Sequence, residues 1–98
     1  LIFSDDHLQI DLEQAVVTVD GQECSVTPTE SRMLRQFLIN RGQLLTYDVL
    51  LDRLWDSGGQ FVDKHALAVN VNRLRAKLED EQHRYISNVY GVGYQWIG

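Results

Sequence analysis

Cysteine is almost missing from this chain. Cys24 stands alone among 98 residues, which excludes a disulfide framework and any multi-cysteine metal site. Long hydrophobic runs are missing too. No stretch approaches the ~18 apolar residues a membrane span requires, and no charged-then-apolar signal segment opens the chain. These absences make a cytoplasmic location the expectation. The chain starts Leu1-Ile2-Phe3 without methionine, so a preceding segment is also expected. Positive charge is absent from the first third. Residues 1–31 hold seven acids (Asp5, Asp6, Asp11, Glu13, Asp20, Glu23 and Glu30) and no lysine or arginine.

What is present is unevenly spread. A hydrophobic fraction of 44%, with two tryptophans and four tyrosines, supports a packed core, and the length suits a single domain spanning 1–98. The formal net charge is −5, yet KHALAVNVNRLRAKL, residues 64–78, carries Lys64, His65, Arg73, Arg75 and Lys77 without one acid. Glu79, Asp80 and Glu81 follow directly. A basic stripe on one element is a stronger indication of nucleic-acid binding than the whole-chain charge is against it.

The first 26 residues have the grammar of strands. Residues 7–12 alternate polar and apolar, 15–19 are β-branched, and Asp20-Gly21 is a strong two-residue hairpin signal, with 22–26 returning as partner. Thr27-Pro28-Thr29-Glu30 then spells a helix start, with a cap, a first-position proline and a capping-box glutamate. Met33, Leu34, Phe37 and Leu38 follow at helical spacing, and Arg41-Gly42 closes the element. A second helix is expected from Thr46, with Leu50, Leu51, Leu54 and Trp55 on one face. Ser57 to Gln60 read as a loop. The basic stretch forms a third helix, about 65–79, and residues 85–97 a hairpin around Tyr90-Gly91-Val92-Gly93. This order defines an α+β domain with the outline of a winged helix-turn-helix.

At 100° per residue Leu67, Val71, Leu74 and Leu78 fall within about 60° of one another and form the buried stripe of the third helix. Its outer face then carries His65, Val69, Asn72, Arg73 and Ala76, flanked by Asn70 and Lys77 on one side and Arg75 on the other. Asparagine can pair with adenine, arginine with guanine, and a methyl-bearing side chain can touch the thymine methyl. Flanking Arg and Lys would neutralise phosphates, and Lys64 and His65 stand near enough to join them. A solvated helix face with idle amides is the other reading of the same residues.

Three motifs together resemble the DNA-binding effector domain of OmpR/PhoB-type response regulators, the transcription-factor half of two-component phosphorelays. They are Leu45-Thr46 through Leu50-Leu51-Asp52-Arg53-Leu54-Trp55, then Val69-Asn70-Val71-Asn72-Arg73-Leu74-Arg75-Ala76-Lys77-Leu78, and last Val89-Tyr90-Gly91-Val92-Gly93-Tyr94. With the Thr27-Pro28-x-Glu30 helix start they cover nearly the whole chain in order. The resemblance implies an N-terminal antiparallel four-stranded sheet, three helices and a C-terminal β-hairpin wing. It also implies a recognition helix in the major groove of duplex DNA and a wing at the adjacent minor groove. Base reading would fall to Val69, Asn70 and Asn72. Backbone contact would fall to Trp55, Arg73, Arg75, Asn88 and Tyr94. The loop Asp56, Ser57, Gly58, Gly59, Gln60 and Phe61 would face RNA polymerase. A receiver domain would precede residue 1, and a second protomer would be placed head-to-tail on a direct repeat.

The chain also departs from that pattern. Many members have histidine at the position of Asn70, arginine at Asn72, an acid at Ala68, and arginine at Tyr90 and Gln95. Without the wing arginine, minor-groove reading loses its charge. Tyr90, Gln95 and the acidic N-terminal third therefore motivate an alternative, a winged-helix protein-interaction module with little intrinsic DNA affinity. His7, His65 and His83 are far apart and lack metal-ligand spacing, so surface or helix-edge roles are expected for them, and no metal or cofactor. Ser87, His83 and Asp80 carry no nucleophile-turn signal, and no enzyme is expected. Cys24 is expected as a small buried hydrophobe.

Overall fold

The computed structural model describes residues 1–54 and 63–98. Four short strands, β1 (Ile2–Ser4), β2 (Leu8–Asp11), β3 (Val16–Val19) and β4 (Gln22–Glu23), pair in sequence order as an antiparallel sheet. Alternation sets the register: Leu8 and Ile10 turn inward opposite Val19 and Val17, while Gln9 and Asp11 face outward. Asp20 and Gly21 both have positive φ, 52° and 79°, as a tight primed turn between β3 and β4 requires. β4 stops at Glu23 rather than Val26, because the chain there leaves the sheet to reach the first helix cap.

That helix, α1 (Pro28–Ile39), begins as its sequence announces. The Glu30 backbone N–H donates to Thr27 Oγ1 at 3.1 Å, and the Thr27 N–H donates to Glu30 Oε1 at 2.8 Å. Met33, Leu34, Phe37 and Leu38 are buried. A strand that sequence patterning did not separate, β5 (Leu44–Thr46), comes next. Three residues are too few to establish a period. The Thr46 hydroxyl then accepts from the Val49 N–H at 3.2 Å and opens α2 (Tyr47–Leu54).

Asp63 caps α3 (Lys64–Leu78), which buries Leu67, Val71, Leu74 and Leu78 as the stripe predicts. Burying each such side chain stabilises the fold by about 1.5–3 kcal/mol, so the helix is held from one side and its other side is left to solvent. Strands β6 (Ile86–Val89) and β7 (Gly93–Trp96) form the wing, and β5 joins them in the order β5-β7-β6. The expected hairpin wing is present, and β5 extends it to a three-stranded sheet. Trp96, fully buried, anchors it: its ring lies 5.3 Å from Phe3, 5.4 Å from Tyr85 and 6.3 Å from Phe37. No described helix is long and apolar enough to cross a membrane.

Two expectations need correction. Cys24 is half-buried, since β4 ends beside it and leaves one side open. His7, expected at the surface, is 3% exposed. Its ring is drawn inward by the carbonyl of Leu78 at the end of α3, 2.8 Å from Nε2.

Candidate nucleic-acid interface

The outward side of α3 is acid-free. His65, Asn72, Arg73 and Ala76 are exposed, while Ala68, Val69, Asn70 and Arg75 are half-buried on its flanks. Arg73 makes no ion pair among the described residues. Asn70 is folded back, its Nδ2 donating to the Ala66 carbonyl at 2.8 Å. It must release that bond to present its amide to a base. Arg75 Nε donates to Glu79 Oε1 at 3.2 Å, and the other Glu79 oxygen accepts the Tyr85 and Ile86 N–H groups, each at 2.8 Å. One carboxylate therefore fastens the end of α3 to the first strand of the wing.

Lys77, expected among the phosphate contacts, is engaged within the protein. Its Nζ lies 2.6 Å from Glu30 Oε1 and 3.0 Å from the Ser25 carbonyl. Glu30 is buried, and a buried carboxylate without a cation would be costly. Burial pushes its pKa up, but the Lys77 ammonium and the Thr27 amide and hydroxyl outweigh that and hold it below the usual range. The sequence signal was present on both elements, yet nothing local could pair residues 47 positions apart.

A groove of about 550 Å³ separates the start of α3 from the wing, lined by Tyr47, Lys64, His65, Ala68, Asn88, Tyr90, Gly91 and Tyr94. Lys64 Nζ sits 4.8 Å above the Tyr47 ring, and that ring meets Tyr94 edge-on at 5.7 Å. Tyr94 is 5% exposed, so it is wall more than contact. Burial first, and then Tyr47, push its hydroxyl pKa up, while Arg75 pulls it down. The phenol stays protonated and can donate. Sequence reasoning missed Tyr47, which neither charge nor spacing distinguishes from a core aromatic. At the wing tip Tyr90 is 94% exposed, Gly91 has a φ of 74°, and Val92 is partly exposed. The Val92 carbonyl accepts from the Tyr47 N–H at 3.0 Å and ties the tip to α2. Trp55 and the loop Asp56, Ser57, Gly58, Gly59, Gln60 and Phe61 lie outside the described residues.

A helix held by one buried stripe, an acid-free outer face and a hairpin across a groove is the geometry of a DNA-reading winged helix. Residues 21–96 match the family described as "Transcriptional regulatory protein, C terminal". The chain is an OmpR/PhoB-type effector domain. Among its relatives, the Streptomyces avermitilis transcriptional regulatory protein CseB is 40% identical over 88 residues, which are 90% of this chain and 36% of that protein. The effector domain therefore spans little more than a third of such a relative's length. The response regulator DrrB of Thermotoga maritima, an OmpR/PhoB homologue, superposes with a TM-score of 0.86 at 26% identity, over 99% of this chain and 44% of that one. The DNA-binding domain of Klebsiella pneumoniae RstA, solved in complex with the RstA box, superposes with a TM-score of 0.77 at 25% identity. That match covers 98% of this chain and 96% of the RstA domain.

Proposed function

We propose that this effector domain regulates transcription by placing α3 in the major groove and the wing at the neighbouring minor groove. The acid-free outer face of α3, with Asn72 and Arg73 presented to solvent, carries the reading. Val69 meets a thymine methyl, and Asn72, with Asn70 once released from Ala66, reads base edges. Arg73, Arg75 and Lys64 neutralise phosphates, and His65, Asn88 and the Tyr94 hydroxyl add hydrogen bonds along the groove. Lys77 takes no part. A receiver domain upstream, a second protomer on a direct repeat, RNA polymerase at the loop 56–61 and a cytoplasmic location complete the proposal.

Three phosphate-facing cations imply a modest salt dependence, with log K falling by roughly 3 units per decade of salt. Fluorescence anisotropy on sites selected from a random duplex pool tests both kinds of contact. Arg73→Ala is expected to weaken binding to every sequence and reduce the salt slope by about one. Asn72→Ala is expected to change preference at one base pair, by about 1–3 kcal/mol. An unchanged slope for Arg73→Ala would remove the phosphate assignment. The exposed Tyr90 and the net charge of −5 favour a second reading, a protein-binding wing. Failure of the domain to be retained on heparin or random duplex at low salt would support it.

A further inference from the structure

Away from the reading face, where α3 ends, the fold gathers groups far apart in sequence. His7 sits in the β1–β2 turn, Asp20 in the β3–β4 turn, and Asp80 and His83 on the connection from α3 to β6. The Leu78 carbonyl can only accept, so His7 Nε2 carries a proton and donates to it. The other nitrogen, Nδ1, faces Asp20 Oδ1 at 2.7 Å and Asp80 Oδ2 at 3.8 Å. His83 stacks on His7 with ring centroids 4.0 Å apart, and its Nδ1 lies 2.9 Å from Asp80 Oδ1. Candidate ligand atoms of His7, Asp80 and His83 all lie within 4.8 Å of one another.

We propose that His7, Asp80 and His83 form a site for a divalent transition-metal ion of the zinc class, with water in the fourth position. Two imidazole nitrogens and one carboxylate oxygen are a donor set that suits Zn²⁺. In a tetrahedral site with bonds of 2.0–2.1 Å, ligand atoms stand roughly 3.3 Å apart. His83 Nδ1 lies 2.9 Å from one Asp80 oxygen and His7 Nδ1 3.8 Å from the other, and the three candidate ligand atoms fall within 4.8 Å, so a small movement of His83 closes the set. His7 also has the outer support of a metal-binding histidine, its far nitrogen fixed on a backbone carbonyl so that Nδ1 points into the cluster. Asp80 is held in place, accepting the Gln82 and His83 N–H groups at 2.8 Å. Asp6 adds a third carboxylate, 3.8 Å from His83 Nε2, so two imidazoles face three acids and a dication offsets two of their three charges. Without a metal, the proton on His7 Nδ1 donates to Asp20. With the metal, that proton leaves and His83, only partly buried, turns out of the stack to direct its lone pair at the ion. The ion would clamp the connection after α3 to the β1–β2 turn of the N-terminal sheet.

Calorimetric titration of the untagged chain with ZnCl₂ near neutral pH tests this. One ion per chain is expected, with a rise in melting temperature. Co²⁺ is expected to give the visible d–d bands of four-coordinate geometry. His83→Ala and Asp80→Asn should each weaken binding by more than about tenfold, with the metal-free far-ultraviolet spectrum unchanged. Absence of saturable binding, or wild-type affinity in both variants, would overturn the site. If His7→Ala does not fold, the half-exposed His83 still decides the question.

Discussion

Gly93→Ala is expected to destabilise the domain by about 3 kcal/mol and lower its melting temperature by about 12 °C or more. A Cβ at residue 93 would lie 2.0 Å from the Leu45 carbonyl oxygen and 2.8 Å from both the Leu45 carbonyl carbon and the Thr46 Cα. All three are backbone atoms of β5, so no side-chain rotation relieves the clash. The sheet must open where β5 meets β7, and the start of α2 must move with it. Gly91→Ala is the informative control. Its Cβ meets nothing within 4 Å, and only its positive φ of 74° resists, so a cost of about 1 kcal/mol is expected. Urea unfolding of the two variants checks this. Similar midpoints would show that the close approach at residue 93 is not what holds the wing.

Lys77→Met is expected to cost about 2 kcal/mol. Breaking a fully buried ion pair typically costs about 3–5 kcal/mol, but the Lys77 side chain is 34% exposed against 2% for Glu30, so solvent screens part of the loss. The pH dependence is more diagnostic than the size. The wild-type Glu30 carboxyl is held below its ordinary value of 4.5. Its contribution is therefore fully present above that value and lost as pH falls through the lowered one. Without Lys77, burial dominates and raises the folded pKa, and the sign reverses: acidification then relieves the buried charge. The stability difference between wild type and Lys77→Met should begin to shrink above pH 4.5, as pH falls through the variant's raised value, and go on shrinking below 4.5 as the wild type loses its pair. A difference constant with pH would mean that the lysine acts by packing its stem and not through its charge.

Much of this was legible locally. The Thr27 to Glu30 box, the Asp20-Gly21 turn and the Leu67/Val71/Leu74/Leu78 stripe each lie within one element, where spacing alone fixes geometry. The family resemblance extended that reading to the four-stranded sheet and the wing. What escaped depended on partners distant in sequence. β5 exists because β7 offers it an edge, and Leu44 to Thr46 carry no period of their own. Lys77 looked like a phosphate ligand until α1 brought Glu30 beside it. His7 and His83, 76 positions apart by number, meet only because the sheet folds back on the end of α3. Charge and propensity are properties of a stretch, whereas these contacts are properties of the packed chain.

Glu79 has a consequence for the DNA. It holds Arg75 at the end of α3 with one oxygen and the start of β6 with the other. In the proposed complex, the two parts that address neighbouring grooves are then a single caliper with a fixed jaw width. A duplex whose groove spacing does not fit must bend or narrow to be gripped, and the cost follows its own base-step stiffness. Operators would thus be sorted partly at positions that no side chain touches. Glu79→Gln, by loosening the caliper, would blur those positions before the contacted ones.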